Sequence, residues 1–166
     1  MSVKSAVLER YSEGANERQE SLCCPIDYDA SLLKLLPQEI IDKDYGCGDP
    51  SRYVREGDTV LDLGSGGGKI CYMAAQLAGE KGRVIGVDMT EDMLALARKY
   101  QDELAEKIGG YLVVFHRGHI QNLALNLDAI DEYLVKNPVK TVTDMDLLNK
   151  WIENQCQDKP LIKDNS

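Results

Sequence analysis

Residues 60–68 read VLDLGSGGG, a short apolar run followed directly by a run of glycines. The apolar run, which starts at Thr59, is typical of a buried β-strand, and the glycines predict a loop in which bare backbone can approach a ligand. Residues 69–77 place apolar side chains on one helical face and so predict a helix. A strand, a glycine loop and a helix in this order indicate the first unit of an α/β fold.

Two further strands follow at the spacing of repeated strand–helix units. Residues 83–88 (RVIGVD) predict the second strand, residues 91–108 predict a helix that stops at Gly109, and residues 111–116 (YLVVFH) predict the third strand. Continuously apolar strands that alternate with helices are typical of a parallel sheet covered by helices. The pattern therefore predicts the N-terminal half of a Rossmann-like, doubly wound α/β fold with three strands.

The composition of the chain changes near residue 55. Residues 1–55 are predicted to form a helical segment that carries three cysteines, and residues 56–166 the first half of the Rossmann-like domain, ending before a fourth strand. Only helices, at 127–135 and 144–156, are predicted after the third strand. Because the fourth strand of a doubly wound sheet lies beside the first, we expect a fragment of a longer protein in which residues 59–63 form an exposed edge that favours self-association.

The chain has 166 residues and a net charge of −9. An acidic protein repels phosphate groups, which argues against nucleic acid and anionic membrane surfaces as partners. No apolar run approaches the ~18 residues that span a bilayer, and the N-terminus lacks the apolar core of a secretory signal. We therefore expect a cytoplasmic protein that acts on a small molecule. Its five cysteines, an odd number, are expected to be thiols.

The charges beside the glycine loop distinguish two cofactors. A dinucleotide prefers G-x-G-x-x-G, but Lys69 stands where the third glycine would be. Asp62 places a carboxylate just below the loop, which repels a diphosphate and suits the ammonium and sulfonium of S-adenosylmethionine. Asp88, at the end of the second strand, can accept the ribose hydroxyls of either cofactor. The sequence therefore favours S-adenosylmethionine, with an NAD-dependent oxidoreductase or a non-catalytic cofactor-binding module as alternatives.

Three segments resemble a known family. VLDLGSGGGK (60–69), GRVIGVDMT (82–90) and FHRGHIQNL (115–123) are similar to the first three cofactor motifs of class I S-adenosylmethionine-dependent methyltransferases. Within that superfamily, YGCG at 45–48 and the Cys23-Cys24 pair resemble the arsenite methyltransferase group. The resemblance implies methyl transfer from S-adenosylmethionine to arsenite or a similar small acceptor.

The resemblance also implies which residues form the site. The residues expected to contact the methionine part of the cofactor are Asp62, Gly64, Ser65 and Gly66. Those expected to hold its ribose and adenine are Asp88, Met89, His119 and Ile120, and Tyr11 is expected to fold over it. The candidate arsenic-binding thiols are Cys47 and one of Cys23 and Cys24.

The remaining metal-ligating and nucleophilic residues are not predicted to form a second site. His116 and His119 have H-x-x-H spacing, but on a strand end rather than on one helical face, so no metal site is predicted. Cys71 and Cys156 are predicted to be structural. No acid–base pair is predicted, because methyl transfer to a nucleophilic acceptor depends mainly on orientation.

Overall fold

A computed structural model describes residues 3–17, 19, 27–46, 48–110 and 112–163. Its sheet has four strands in the order β1-β2-β3-β4. Their bounds are Thr59–Leu63, Arg83–Asp88, Val113–His119 and Asn122–Asn126. The first three strands are parallel, and β4 runs antiparallel to β3. The predicted α/β class with three parallel strands is confirmed.

Eight α-helices accompany the sheet in the described residues, together with a 3-10 helix at Pro50–Tyr53. Helices α1 to α4 are Val3–Asn16, Ala30–Leu33, Gln38–Asp42 and Lys69–Ala78. Helices α5 to α8 are Glu91–Lys99, Gln101–Ile108, Leu127–Lys136 and Val142–Asp158. None of these helices is long and apolar enough to cross a membrane.

The main core lies between the parallel strands and α4. Seven of the ten residues of α4 are buried, and its largest side chain, Tyr72, is 1% exposed. The Tyr72 ring meets Phe115 of β3 edge-on at 5.6 Å, and its hydroxyl donates to the carbonyl of Ala97 at 2.7 Å. The helix predicted over 69–77 is therefore present as α4, and it packs directly against the sheet.

β4 was not predicted, and the expectation of three strands was wrong on this point. Its sequence NLALN has polar ends, and it pairs with β3 only because a tight turn at Ile120-Gln121 brings the two together. The N–H groups of Leu161 and Ile162 donate to carbonyls of β4, so the segment after α8 runs beside the hairpin. β4 lies at the far side of β3 and does not pair with β1.

The helix predicted over 91–108 is two helices. The backbone leaves helical geometry at Tyr100, with φ −107° and ψ 7°. The Tyr100 hydroxyl donates to the carboxylate of Glu39 in α3, a residue distant in sequence. Helix α8 begins earlier than predicted, because Thr141 and Asp144 form a capping box.

The N-terminal segment packs on the domain at several points. Helix α1 contacts α5, and the Gln76 side chain of α4 donates to the carbonyl of Leu32 at 3.0 Å. Lys99 donates to Glu39 at 2.6 Å. Lysine and tyrosine donors hold the pKa of Glu39 at about 2, below its usual range. These contacts pack the N-terminal segment against helices α4 and α5.

Candidate functional site

A cavity of about 920 Å³ opens where β1, β2 and β3 end. Its volume is in the range of small-molecule sites, ~300–1,000 Å³. One wall is the glycine loop with residues at the ends of β2 and β3, and the other belongs to α1 and to residues 44–46, 48 and 50. Eight predicted cofactor residues line it: Tyr11, Asp62, Gly64, Ser65, Gly66, Asp88, Met89 and Ile120. The ninth, His119, ends β3 and is not among the lining residues.

Asp62 presents a carboxylate to this cavity from β1. Burial raises its pKa, and the negative charges of Asp88 and Asp44 raise it further, whereas a hydrogen bond from Cys71 opposes the shift. The Cys71 thiol donates to Oδ2 of Asp62 at 3.2 Å. A carboxylate with a raised pKa gains from the arrival of a positive group, so this position favours a cationic ligand.

The glycine loop turns tightly below the cavity. Gly64, Gly66 and Gly68 have φ values of 84°, 51° and 84°, in the left-handed region that favours glycine. A Cβ at Gly64 would meet open space, so the backbone there is bare toward the cavity. The buried Oγ of Ser65 has no hydrogen-bond partner among the described residues. The loop thus offers a ligand both close backbone approach and an unsatisfied polar atom.

Asp88 holds the loop in place. Its Oδ2 accepts from the N–H of Gly66 at 2.9 Å, and its Oδ1 accepts from the N–H of Thr90 at 2.8 Å. Each carboxylate oxygen has a second lone pair, so both can still accept a ligand hydroxyl. Asp88 therefore has two roles. The sequence indicated its capacity to accept ligand hydroxyls, and the structure adds that it positions the glycine loop.

The N-terminal wall is centred on Tyr45, which is 7% exposed. Its hydroxyl donates to the carbonyl of Gly14 at 2.9 Å and accepts from the N–H of Gln19 at 3.0 Å. Its ring meets Tyr11 edge-on at 6.4 Å. Tyr45 and Asp44 line the cavity but were not predicted as cofactor residues. The signal that could have found them is the YGCG motif, in which Tyr45 is the first residue.

The proposed thiols Cys23, Cys24 and Cys47 lie outside the described residues. Gly46 and Gly48, which flank Cys47 in sequence, line the cavity. Of the other cysteines, Cys71 is buried and Cys156 is partly exposed. Burial and the adjacent Asp62 charge raise the pKa of the Cys71 thiol, which therefore stays protonated as a donor.

In the described part of the chain, His116 and His119 do not belong to a cluster of metal-binding side chains. Burial, with the charges of Arg83 and Arg98, lowers the pKa of His116, which keeps the imidazole neutral in the sheet. Across the described ranges there is no group of three or more His, Cys, Asp or Glu side chains that could hold a metal ion.

Comparisons with known proteins show what this chain is similar to. A family model described as a methyltransferase domain matches residues 55–160. An arsenite methyltransferase of Aquipseudomonas alcaligenes is 41% identical over 68% of this chain and 34% of its own length. The human arsenite methyltransferase is 42% identical over 55% of this chain and 25% of its own length.

A solved structure shows the same likeness in three dimensions. The crystal structure of an arsenic (III) S-adenosylmethionine methyltransferase from Chlamydomonas reinhardtii matches with a TM-score of 0.54 and 40% identity. The match covers 59% of this chain and 34% of that one. The chain therefore spans a quarter to a third of the length of these relatives.

Proposed function

Since this chain belongs to the S-adenosylmethionine-dependent methyltransferase family, we propose that it binds this cofactor in the cavity and takes part in methyl transfer to arsenite or a similar small acceptor. The observation that carries the proposal is the carboxylate of Asp62, which lines the cavity partly buried beside a glycine loop. A site of this charge suits a cofactor with an ammonium and a sulfonium and opposes a diphosphate.

The lining residues fit the parts of the cofactor. When bound, S-adenosylmethionine supplies an activated methyl group on its sulfonium. Asp62 pairs with the ammonium, and the orphaned Oγ of Ser65 takes part in binding the same methionine portion. Asp88 accepts the ribose hydroxyls, while Met89 and Ile120 supply apolar surface for adenine. Tyr11 covers the cofactor from the N-terminal wall.

The acceptor side is assigned to the thiols of residues 23, 24 and 47. Trivalent arsenic is a soft thiophile, and convergent thiolates are its natural ligands. Adjacent side chains diverge, so we assign Cys47 together with one of Cys23 and Cys24. The thiols position arsenic in line with the methyl group and keep its lone pair free, which supplies the rate enhancement through proximity. The arsenite methyltransferase relatives support this acceptor.

Calorimetric titration of the 166-residue chain with S-adenosylhomocysteine and with NAD tests the cofactor. We expect heat of binding for the first ligand and none for the second, because the Asp62 carboxylate repels a diphosphate. Saturable binding of NAD with no binding of S-adenosylhomocysteine contradicts the proposal and favours the oxidoreductase alternative.

Transfer of a labelled methyl group from S-adenosylmethionine to arsenite tests the acceptor. Cys47→Ser is expected to abolish arsenite binding and methylation, whereas Cys156→Ser, a matched change on α8, is expected to leave both unchanged. Equal behaviour of the two variants contradicts the thiol assignment. Cofactor binding without transfer to any acceptor favours a non-catalytic binding module.

The edge of β1 carries a separate proposal, that two copies of the chain associate there. Within the described residues β1 pairs only with β2, and its Leu61 and Leu63 side chains are 39% and 47% exposed. An apolar strand with unpaired backbone groups is a template for another strand.

We therefore expect sedimentation to show concentration-dependent association that Leu61→Lys with Leu63→Lys reduces, because edge charges oppose strand pairing. Val135→Lys on α7, where the side chain is 83% exposed, is the control and should leave association unchanged. A monomer at every concentration contradicts this expectation.

A further inference from the structure

Lys69 is an unusual residue for its place in the fold. It is the first residue of α4, directly after the glycine loop, and it is only 4% exposed. Lysine is almost never fully buried unless it is paired. Its partner is the carboxylate of Asp44, which comes from the N-terminal wall of the cavity. The pair therefore connects two segments that are distant in sequence.

Tyr28 completes this cluster. The Lys69 ammonium lies 3.3 Å from the centre of the Tyr28 ring, a cation–π contact. The Tyr28 hydroxyl lies 3.4 Å from both Oδ2 of Asp44 and the carbonyl of Gly48, and it donates toward them. We call Lys69, Asp44 and Tyr28 the Lys69 clamp.

The clamp acts on the backbone that lines the cavity. Oδ2 of Asp44 accepts from the N–H of Gly46 at 3.3 Å, and Asp44, Gly46 and Gly48 all line the cavity. The opposite wall is the glycine loop, which Lys69 follows directly. A single ammonium thus connects the N-terminal wall to the residue that follows the glycine loop.

The clamp also affects the charge of the site. The negative charge of Asp44 acts against ionisation of Asp62. Pairing Asp44 with Lys69 compensates that charge, whereas Asp62 has a thiol as its hydrogen-bonding neighbour. Of these two carboxylates, Asp62 is the one without a cationic partner in the part of the chain that the structure describes, so it remains for a cationic ligand group.

We propose that Lys69 is a positioning residue that holds the wall of Asp44, Gly46 and Gly48 against the glycine loop and reserves Asp62 for the positive end of the cofactor. The ligand part of this inference rests on the proposed function. The wall-holding part does not, since it concerns the protein without ligand.

The test uses Lys69→Met, Asp44→Asn, their combination and Lys69→Arg in the 166-residue chain. Lys69→Met is expected to increase hydrogen exchange at the amides of residues 44–46 relative to those of α8. It is also expected to weaken S-adenosylhomocysteine binding by about tenfold, a usual size for coupling between sites. Lys69→Arg keeps the charge and should recover most of both effects. Lys107→Met removes an exposed lysine that pairs with Glu103 within α6, away from both walls, and is the control.

The double variant separates positioning from general stability. Once Lys69→Met has broken the clamp, adding Asp44→Asn should weaken binding by less than Asp44→Asn does alone. Fully additive effects overturn the proposal, as does a folded Lys69→Met with unchanged exchange at 44–46. A lower melting temperature with uniformly faster exchange overturns it too, because that describes a merely structural lysine. If the parent chain does not bind S-adenosylhomocysteine, the proposed function fails. Hydrogen exchange at residues 44–46 then tests by itself whether Lys69 holds the wall in place.

Discussion

Asp62→Asn is expected to weaken S-adenosylmethionine binding by about 100-fold, which corresponds to ~3 kcal/mol at ~1.4 kcal/mol per tenfold. The change removes the negative charge that we propose as the partner of the cofactor ammonium, and it keeps the shape of the side chain. Hydrogen bonds to charged groups contribute ~1.5–3 kcal/mol each, and the partly buried position of Asp62 reduces screening by water.

The same change is not expected to destabilise the free protein. Because burial raises the pKa of Asp62 in the folded state, its ionised form opposes folding as the pH rises through that pKa. Removing this charge should leave the melting temperature at neutral pH equal or higher. A variant that is stable but binds poorly distinguishes a binding residue from a structural one.

Calorimetry at several pH values completes the test of Asp62. Affinity of the parent chain should fall as the pH is lowered through the raised pKa of Asp62, because protonation removes the charge, and Asp62→Asn should lose that part of the dependence. Asp146→Asn, on the exposed part of α8, is the matched control. Binding by Asp62→Asn within threefold of the parent contradicts the charge-pairing role.

Gly68→Ala is expected to cause the second large effect, a loss of roughly 2–5 kcal/mol of folding free energy. Two costs add at this position. The left-handed backbone at φ 84° costs an alanine ~1–2 kcal/mol. A Cβ there would also stand 2.7 Å from Phe115, and overpacking costs ~1–3 kcal/mol.

Two other glycines separate these costs. Gly64 has the same φ but open space around its Cβ position. Gly64→Ala should therefore reduce the folding free energy only by the backbone cost, and it should also weaken cofactor binding. Gly86 lies in β2 without positive φ, and its Cβ would stand 2.7 Å from Phe115. Gly86→Ala should therefore reduce the folding free energy only by the packing cost.

Denaturant unfolding measures all three variants. The expected order of destabilisation places Gly68→Ala first, with the other two smaller and together comparable to it. If Gly68→Ala has the same denaturant midpoint as the parent chain, the result contradicts both the backbone and the packing cost. A Gly64→Ala loss as large as that of Gly68→Ala contradicts the packing part alone.

Local patterns were sufficient for the framework of the fold. The apolar run at 60–63 and the glycines after it predict a strand, a loop and a helix because each depends on neighbouring residues and on a short repeat. The position of Asp62 follows from the same register. Because parallel strands end at one edge of the sheet, residue order alone also predicts that Asp62, Asp88 and Ile120 lie at one cavity.

The break of the predicted helix at Tyr100 shows where local patterns stop. The sequence around it continues a helical repeat, and at the break the Tyr100 hydroxyl contacts Glu39 of a helix distant in sequence. β4 is a similar case, because its short NLALN sequence forms a strand by pairing with β3 and with the segment of Leu161 and Ile162.

The same distinction applies within the site. That Asp62 is a carboxylate beside a glycine loop, and that a small cationic cofactor suits it, follows from residue order alone. That Asp88 holds the loop through the N–H of Gly66, and that Lys69 pairs with Asp44 across the cavity, depends on the folded chain. Residue order determines which groups are neighbours along a strand or helix. Pairing between distant groups depends on the tertiary structure, because packing excludes water and each buried charge then requires a partner.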